Sequence, residues 1–143
     1  SAVALVAVYL GGALGANTFL MYGFFNSIPP SLDEAAKIDG ATHAQTYWTI
    51  IVPLVIPILA VTALLSFIGT FGEYILASVV LGGGAQSNWT LPMGLYLLVG
   101  DSRAPELTLF SAGAAVAALP VLLLFLFLQK YIVSGLTGGA VKG

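Results

Sequence analysis

The chain has 143 residues, 59% of them hydrophobic, a mean hydropathy of +1.02 and a formal net charge of −2. Only 7% are charged, against about 25% in soluble domains, so there is too little polar surface to solvate a globule of this size and no basic stripe for nucleic acid. The absence of cysteine excludes a disulfide framework, a thiolate nucleophile and a cysteine metal site in this chain.

Such a composition belongs in lipid. Three apolar stretches are each long enough to cross a hydrocarbon core of about 30 Å as a helix, and most of the charges lie in the two segments between them. The fold class expected is an all-α membrane protein, a helical transmembrane bundle with three spans in this chain and its two ends on opposite sides. Ser1 follows no methionine, and the first residues lack the basic region and cleavage site of a signal peptide, so the chain reads as part of a longer protein.

The first span is expected over about residues 2–25. Gly11, Gly12, Gly15 and Ala16 give it a small face that lets another helix approach closely, and Asn17 reads as an interhelical hydrogen-bonding position rather than a pore group. Ile28-Pro29-Pro30 stops this helix, because proline restricts its predecessor and lacks a donor. Ser31-Leu32-Asp33-Glu34 then reads as a capping box opening a new short helix. That helix meets Gly40, and a second helical stretch follows from Thr42 to Thr49, with His43 placed to pair with Asp39. A lone histidine is not a metal site.

The second span is expected over about residues 54–80, with Pro57 in its first turn and Gly82-Gly83-Gly84 ending it. Glu73 lies about 30 Å of helix beyond Pro53, which puts it at the far interface, where solvation is favoured over a role in an external gate. The apolar run from Leu91 to Val99 spans only about 14 Å as a helix, too short to cross, so it lies at the interface or folds back partway. The third span is expected over about residues 107–131. Ala112, Gly113, Ala114, Ala117 and Ala118 form its small face, Pro120 kinks it, and a flexible glycine-rich tail follows from Ser134. Ser66, Gly69, Thr70 and Gly72 on the second span read as packing positions.

The segment over residues 29–52 is long for a connection and hydrophilic, with two short helices hinged at a glycine. Ala35 and Ala36 leave a smooth helix face suited to a partner's groove. A helix resting on lipid headgroups would carry more basic residues and a larger apolar face. If this segment is cytoplasmic, Lys37, Lys130 and Lys142 lie inside and Arg103 alone outside, as the positive-inside rule prefers.

Here the residues resemble a known family, the inner-membrane permeases of binding-protein-dependent ABC importers. Its signature is Glu-Ala-Ala, three residues, Gly, nine residues, then Ile-x-Leu-Pro. This chain reads Glu34-Ala35-Ala36, Lys37 to Asp39, Gly40, Ala41 to Thr49, then Ile50-Ile51-Val52-Pro53, departing only at Val52. The resemblance implies that this loop is a coupling helix seated in a cleft of a cytoplasmic ATPase. Glu34, Ala35, Ala36 and Gly40 would be the contact, with Ile50 and Pro53 fixing its junction with the second span. The ending Gly135-Leu136-Thr137-Gly138-Gly139-Ala140-Val141-Lys142-Gly143 is similar to the G-type subunit of maltose/maltodextrin permeases. That implies a tail, including Gly138, Gly139 and Lys142, that reaches toward the paired ATPases, and an external turn at Asp101, Ser102 and Arg103 that reaches toward a docked binding protein.

The expected function is therefore a non-enzymatic permease subunit of a sugar importer in the bacterial inner membrane, multi-pass, with its carboxyl terminus cytoplasmic. The expected partners are ATP-binding cassette ATPase subunits, a second permease subunit, an extracytoplasmic sugar-binding protein and the lipid bilayer. No cofactor is expected on this chain and ATP is left to a partner, since the glycine clusters at residues 82–84 and 138–143 lack the ending and strand-to-helix setting of a P-loop. The alternatives are a permease for another ABC-imported solute and a secondary transporter. The latter would more often carry charged or broken mid-membrane residues. A membrane-embedded enzyme would need converging acid, base or metal groups, and none converge.

Overall fold

A computed structural model describes residues 1–100 and 106–140, with side chains up to Val133. The expected binding-protein contacts Asp101, Ser102 and Arg103, and Lys142 of the tail, lie outside the described residues; for Gly138 and Gly139 only the backbone is described. The described chain is helical throughout: α1 (Ala2–Asn26), α2 (Pro30–Ile38), α3 (His43–Thr46), a π turn (Tyr47–Ile51), α4 (Val52–Phe71), α5 (Ile75–Leu81), a 3₁₀ turn (Gln86–Asn88), α6 (Leu91–Gly100) and α7 (Leu107–Ala140). Three stretches are long and apolar enough to cross a membrane: Ala2–Asn26, His43–Phe71 and Leu107–Val133. At most 17% of their most apolar windows is buried within the chain, so their apolar faces are left for lipid or for other helices.

Two compact units can be distinguished, one comprising Ser1–Ala13 and Leu64–Phe127, the other Leu14–Ala63 and the chain from Leu128. In the first, Leu5, Ala77, Leu81 and Met93 form a small buried core, with Tyr9, Tyr74, Val80 and Trp89 packed against it. The small face expected on the third span is used here. A Cβ added at Gly113 would come within 2.5 Å of Leu95 Cδ2, so the tip of the Leu95 side chain from α6 rests on the bare backbone of α7 and would have to turn aside for a larger residue. The Tyr74 and Tyr96 rings meet at 4.7 Å between centroids. By contrast, a Cβ at Gly11, Gly12 or Gly15 would meet nothing within 4 Å, so these glycines of α1 meet no partner among the described residues.

Several expectations need correction. The helix over residues 54–80 is not continuous: α4 ends at Phe71 and α5 starts at Ile75. The cause is Glu73, whose carboxylate accepts from the Leu76 and Ala77 amides at 2.8 and 2.9 Å, replacing the carbonyls that would have continued the helix. Glu73 is therefore not simply solvated; it also accepts from the Tyr9 hydroxyl at 2.8 Å. Burial works against its charge, but the Leu76 and Ala77 amides and the Tyr9 hydroxyl outweigh that and hold its carboxyl below the ordinary range. At the other end of the chain, the tail expected to fray from Ser134 continues as α7 to Ala140. Once a long helix exists, each further residue adds a hydrogen bond, enough here to carry the helix through its glycines.

Candidate functional site

The segment between α1 and α4 lies in the second unit and is built in three steps. First, Pro29 is the N-cap of α2 and Pro30 occupies its first helical position, where a missing amide is no loss. This displaces the capping box expected at Ser31 and Glu34. Ser31 already stands inside the first turn, and no side chain caps α2. Asp33 and Lys37, one turn apart, pair at 2.6 Å on the exposed face. The hydrogen bond with Lys37 lowers the Asp33 pKa, and the same bond with Asp33 raises that of Lys37.

Second, α2 ends in a Schellman motif, which gives the Ala36 to Gly40 spacing a physical meaning. Gly40 has φ +77°, the left-handed region open to glycine. Its amide donates to the Lys37 carbonyl and the Ala41 amide to the Ala36 carbonyl, each at 3.0 Å. The glycine must follow the third residue of the signature by four positions because these two bonds close only at that spacing. Asp39 is the C-cap of α2 and His43 opens α3, so the two lie on different helices and the one-turn relation expected between them is broken at Gly40.

Third, α3 opens with a complete capping box: the Thr42 hydroxyl accepts from the Gln45 amide at 3.3 Å, and the Gln45 side chain accepts from the Thr42 amide at 2.9 Å. Thr42-x-x-Gln45 spells this signature in the sequence, and its reciprocal bonds are the signal that locates the helix start. From His43 the chain is helical without a break through Phe71, over 29 residues. The second half of the loop is thus not separated from the span at Pro53. Proline at 53 has no amide for the Thr49 carbonyl, and its ring would crowd that carbonyl in a regular α-helix. The chain widens into the π turn instead, with the Val52 amide donating five residues back to Tyr47. Pro57, expected in a first turn, is inside this helical stretch and leaves the Pro53 carbonyl without its usual donor.

The expected contact residues divide by exposure. Glu34, Ala35 and Gly40 are exposed, whereas Ala36 is only 4% exposed and faces into the loop, as does Thr46 on α3. Ile50 is half-buried within the π turn, and Pro53 is exposed just after it. A hollow beneath the loop is lined by Phe25, Ile28, Leu32, Thr46 and Ile50, among others. Sequence reasoning did not single out Ile38, which ends α2 at 86% exposure. An apolar side chain so exposed on a hydrophilic loop is the residue type that a partner's groove covers.

Residues 1–138 match the family described as binding-protein-dependent transport system inner membrane component. The chain is 47% identical over 139 residues to the maltodextrin transport system permease protein MalD of Streptococcus pneumoniae, covering 97% of this chain and 49% of that protein. It is 45% identical over 139 residues to the maltodextrin transport system permease protein MdxG of Bacillus subtilis, again covering 97% and 49%. To the galactooligosaccharides transport system permease protein GanQ of the same organism it is also 45% identical over 139 residues, covering 97% and 48%. The chain spans about half the length of these relatives. With the match running over nearly all of it, this chain belongs to the family of binding-protein-dependent transport system inner membrane components.

Proposed function

We propose that this chain is part of the transmembrane permease subunit of an ATP-driven sugar importer, and that its loop couples the bundle to an ATPase. The observation that carries the proposal is the construction of the loop: a short helix with an exposed face, fastened by a Schellman motif to a capped helix that runs unbroken into a span. A push on α2 passes through a fixed glycine turn into a continuous helix, whereas a disordered loop would dissipate it. In this account Glu34, Ala35 and Ile38 face the ATPase, Ala36 and Gly40 hold the loop in shape, and Ile50 and Pro53 join it to the membrane helix through the π turn. ATP is bound and hydrolysed by the partner, and this chain carries no cofactor.

The loop is cytoplasmic in this proposal and the carboxyl terminus lies on the same side, with Lys37, Lys130 and Lys142 inside and Arg103 outside. The tail residues Gly138, Gly139 and Lys142 then reach toward the ATPases, and Asp101, Ser102 and Arg103 toward an extracytoplasmic sugar-binding protein. A second permease subunit completes the pathway and supplies apolar surface for the helices whose faces are open here. The names of the relatives favour an oligosaccharide of the maltodextrin class. A galactooligosaccharide is the second reading, because the relative named for it is as similar as one of the maltodextrin permeases, at 45% identity each.

The test is purification of the full-length subunit in mild detergent, with co-purifying chains identified by mass spectrometry. The expected result is an ATPase with Walker motifs, a second permease and a sugar-binding protein. Recovery of the subunit alone from a preparation that still transports would contradict the proposal and favour a secondary transporter.

A further inference from the structure

Glu73 and Tyr9 stand 64 positions apart in the sequence, at the opposite end of α4 from the loop, and the hydroxyl-to-carboxylate bond between them is 2.8 Å long. The two residues belong to the same compact unit, around the core of Leu5, Ala77, Leu81 and Met93. Leu5 and Tyr9 lie one turn apart on α1, so the residue that packs on the core and the residue that donates to Glu73 share a face. Ala77, at 0% exposure, both donates its amide to Glu73 and sits in that core. The carboxylate thus joins three things at one point: the break after α4, the first turn of α5 and the α1 helix.

We infer that Tyr9 is a positioning residue for transport: through Glu73 it fixes the start of α5 relative to α1, so that the α5 and α6 segment follows α1 when the helices move. The core alone is too small to do this. It contains four buried residues on three helices, and apolar contacts are non-directional, so they leave α5 free to slide or rotate. A hydrogen bond to a carboxylate already held by two amides fixes both position and angle. Glu73 keeps its cap on α5 when the Tyr9 hydroxyl is removed, so the link can be cut without unfolding the helix it positions.

This inference rests on the importer proposal, and its experiment separates the two. In the full transporter reconstituted in vesicles with its binding protein, sugar moved per ATP hydrolysed is measured for wild type, Tyr9→Phe, Glu73→Gln and the double variant. Tyr9→Phe is expected to lower that ratio about tenfold, the worth of one hydrogen bond to a charged acceptor, with little change in thermal unfolding. The double variant is expected to be no worse than Glu73→Gln, because both substitutions remove the same bond. A Tyr9→Phe transporter with the wild-type ratio, or two substitutions whose effects add, overturns the assignment of Tyr9. A wild-type complex that hydrolyses ATP without moving sugar overturns the importer proposal and this inference together.

Discussion

Gly40→Pro is expected to abolish ATP-driven uptake by the proposed transporter while the subunit still inserts in the membrane. Proline holds φ near −65°, far from the +77° that Gly40 adopts, and it lacks the amide that donates to the Lys37 carbonyl. The unreachable backbone angle and the lost bond together cost the loop about 2 kcal/mol or more, which is enough to melt the turn joining α2 to α3. Gly40→Ala keeps the amide and is the milder variant, costing about 1–2 kcal/mol for a left-handed backbone with a side chain. Uptake into right-side-out or reconstituted vesicles loaded with ATP, with the amount of inserted subunit measured in parallel, reads the difference. Wild-type uptake by Gly40→Pro would show that the loop's shape has no part in coupling.

Bulky substitutions at the adjacent alanines act in different ways. Ala36 is buried within the loop, so Ala36→Leu overfills a closed site and costs about 1–3 kcal/mol. Faster amide hydrogen exchange in α2 is expected from the isolated subunit, before any ATPase is added. Ala35 is exposed, and Ala35→Leu is expected to leave the exchange of the free subunit unchanged while weakening its binding to the proposed ATPase. Equal exchange in both variants would mean that Ala36 does not hold the loop together, and its place in the signature would then reflect partner contact alone.

The amount of this legible in the sequence varied with the range of the interactions involved. The three long helices could be read because apolar length is a local property, and two of their starts, at Ala2 and Leu107, lie where composition places them. The break after Phe71 was hidden, because the apolar sequence resumes at Tyr74 and the groups that hold Glu73 include a tyrosine 64 positions away. The two capping-box signatures, at Ser31 and Thr42, look alike in sequence. Only the second forms, because Pro29 and Pro30 set the start of α2 before Ser31 can cap it. The Glu34 to Pro53 signature was recognisable by resemblance, but its physical content was not: Gly40 as the turn of a Schellman motif, Ala36 as its buried acceptor, and Pro53 as the cause of a π turn all depend on backbone hydrogen bonds. Likewise, spacing marked the small face on α7, and only the approach of Leu95 assigned it an occupant at Gly113.

The most direct test of the central claim is site-specific crosslinking from the loop in the full-length subunit. This chain has no cysteine; with any cysteine elsewhere in the full-length subunit replaced by serine, Ile38→Cys introduces one thiol at the most exposed apolar loop position, and Val79→Cys on α5 serves as the comparison. Membranes carrying each variant are treated with a short bifunctional reagent, and the products are identified by mass spectrometry. The account predicts that Ile38→Cys crosslinks to an ATPase subunit, with a yield that changes when ATP is added, and that Val79→Cys does not. Crosslinking of the ATPase from Val79→Cys but not from Ile38→Cys would place the coupling surface at the other end of the helix and contradict it.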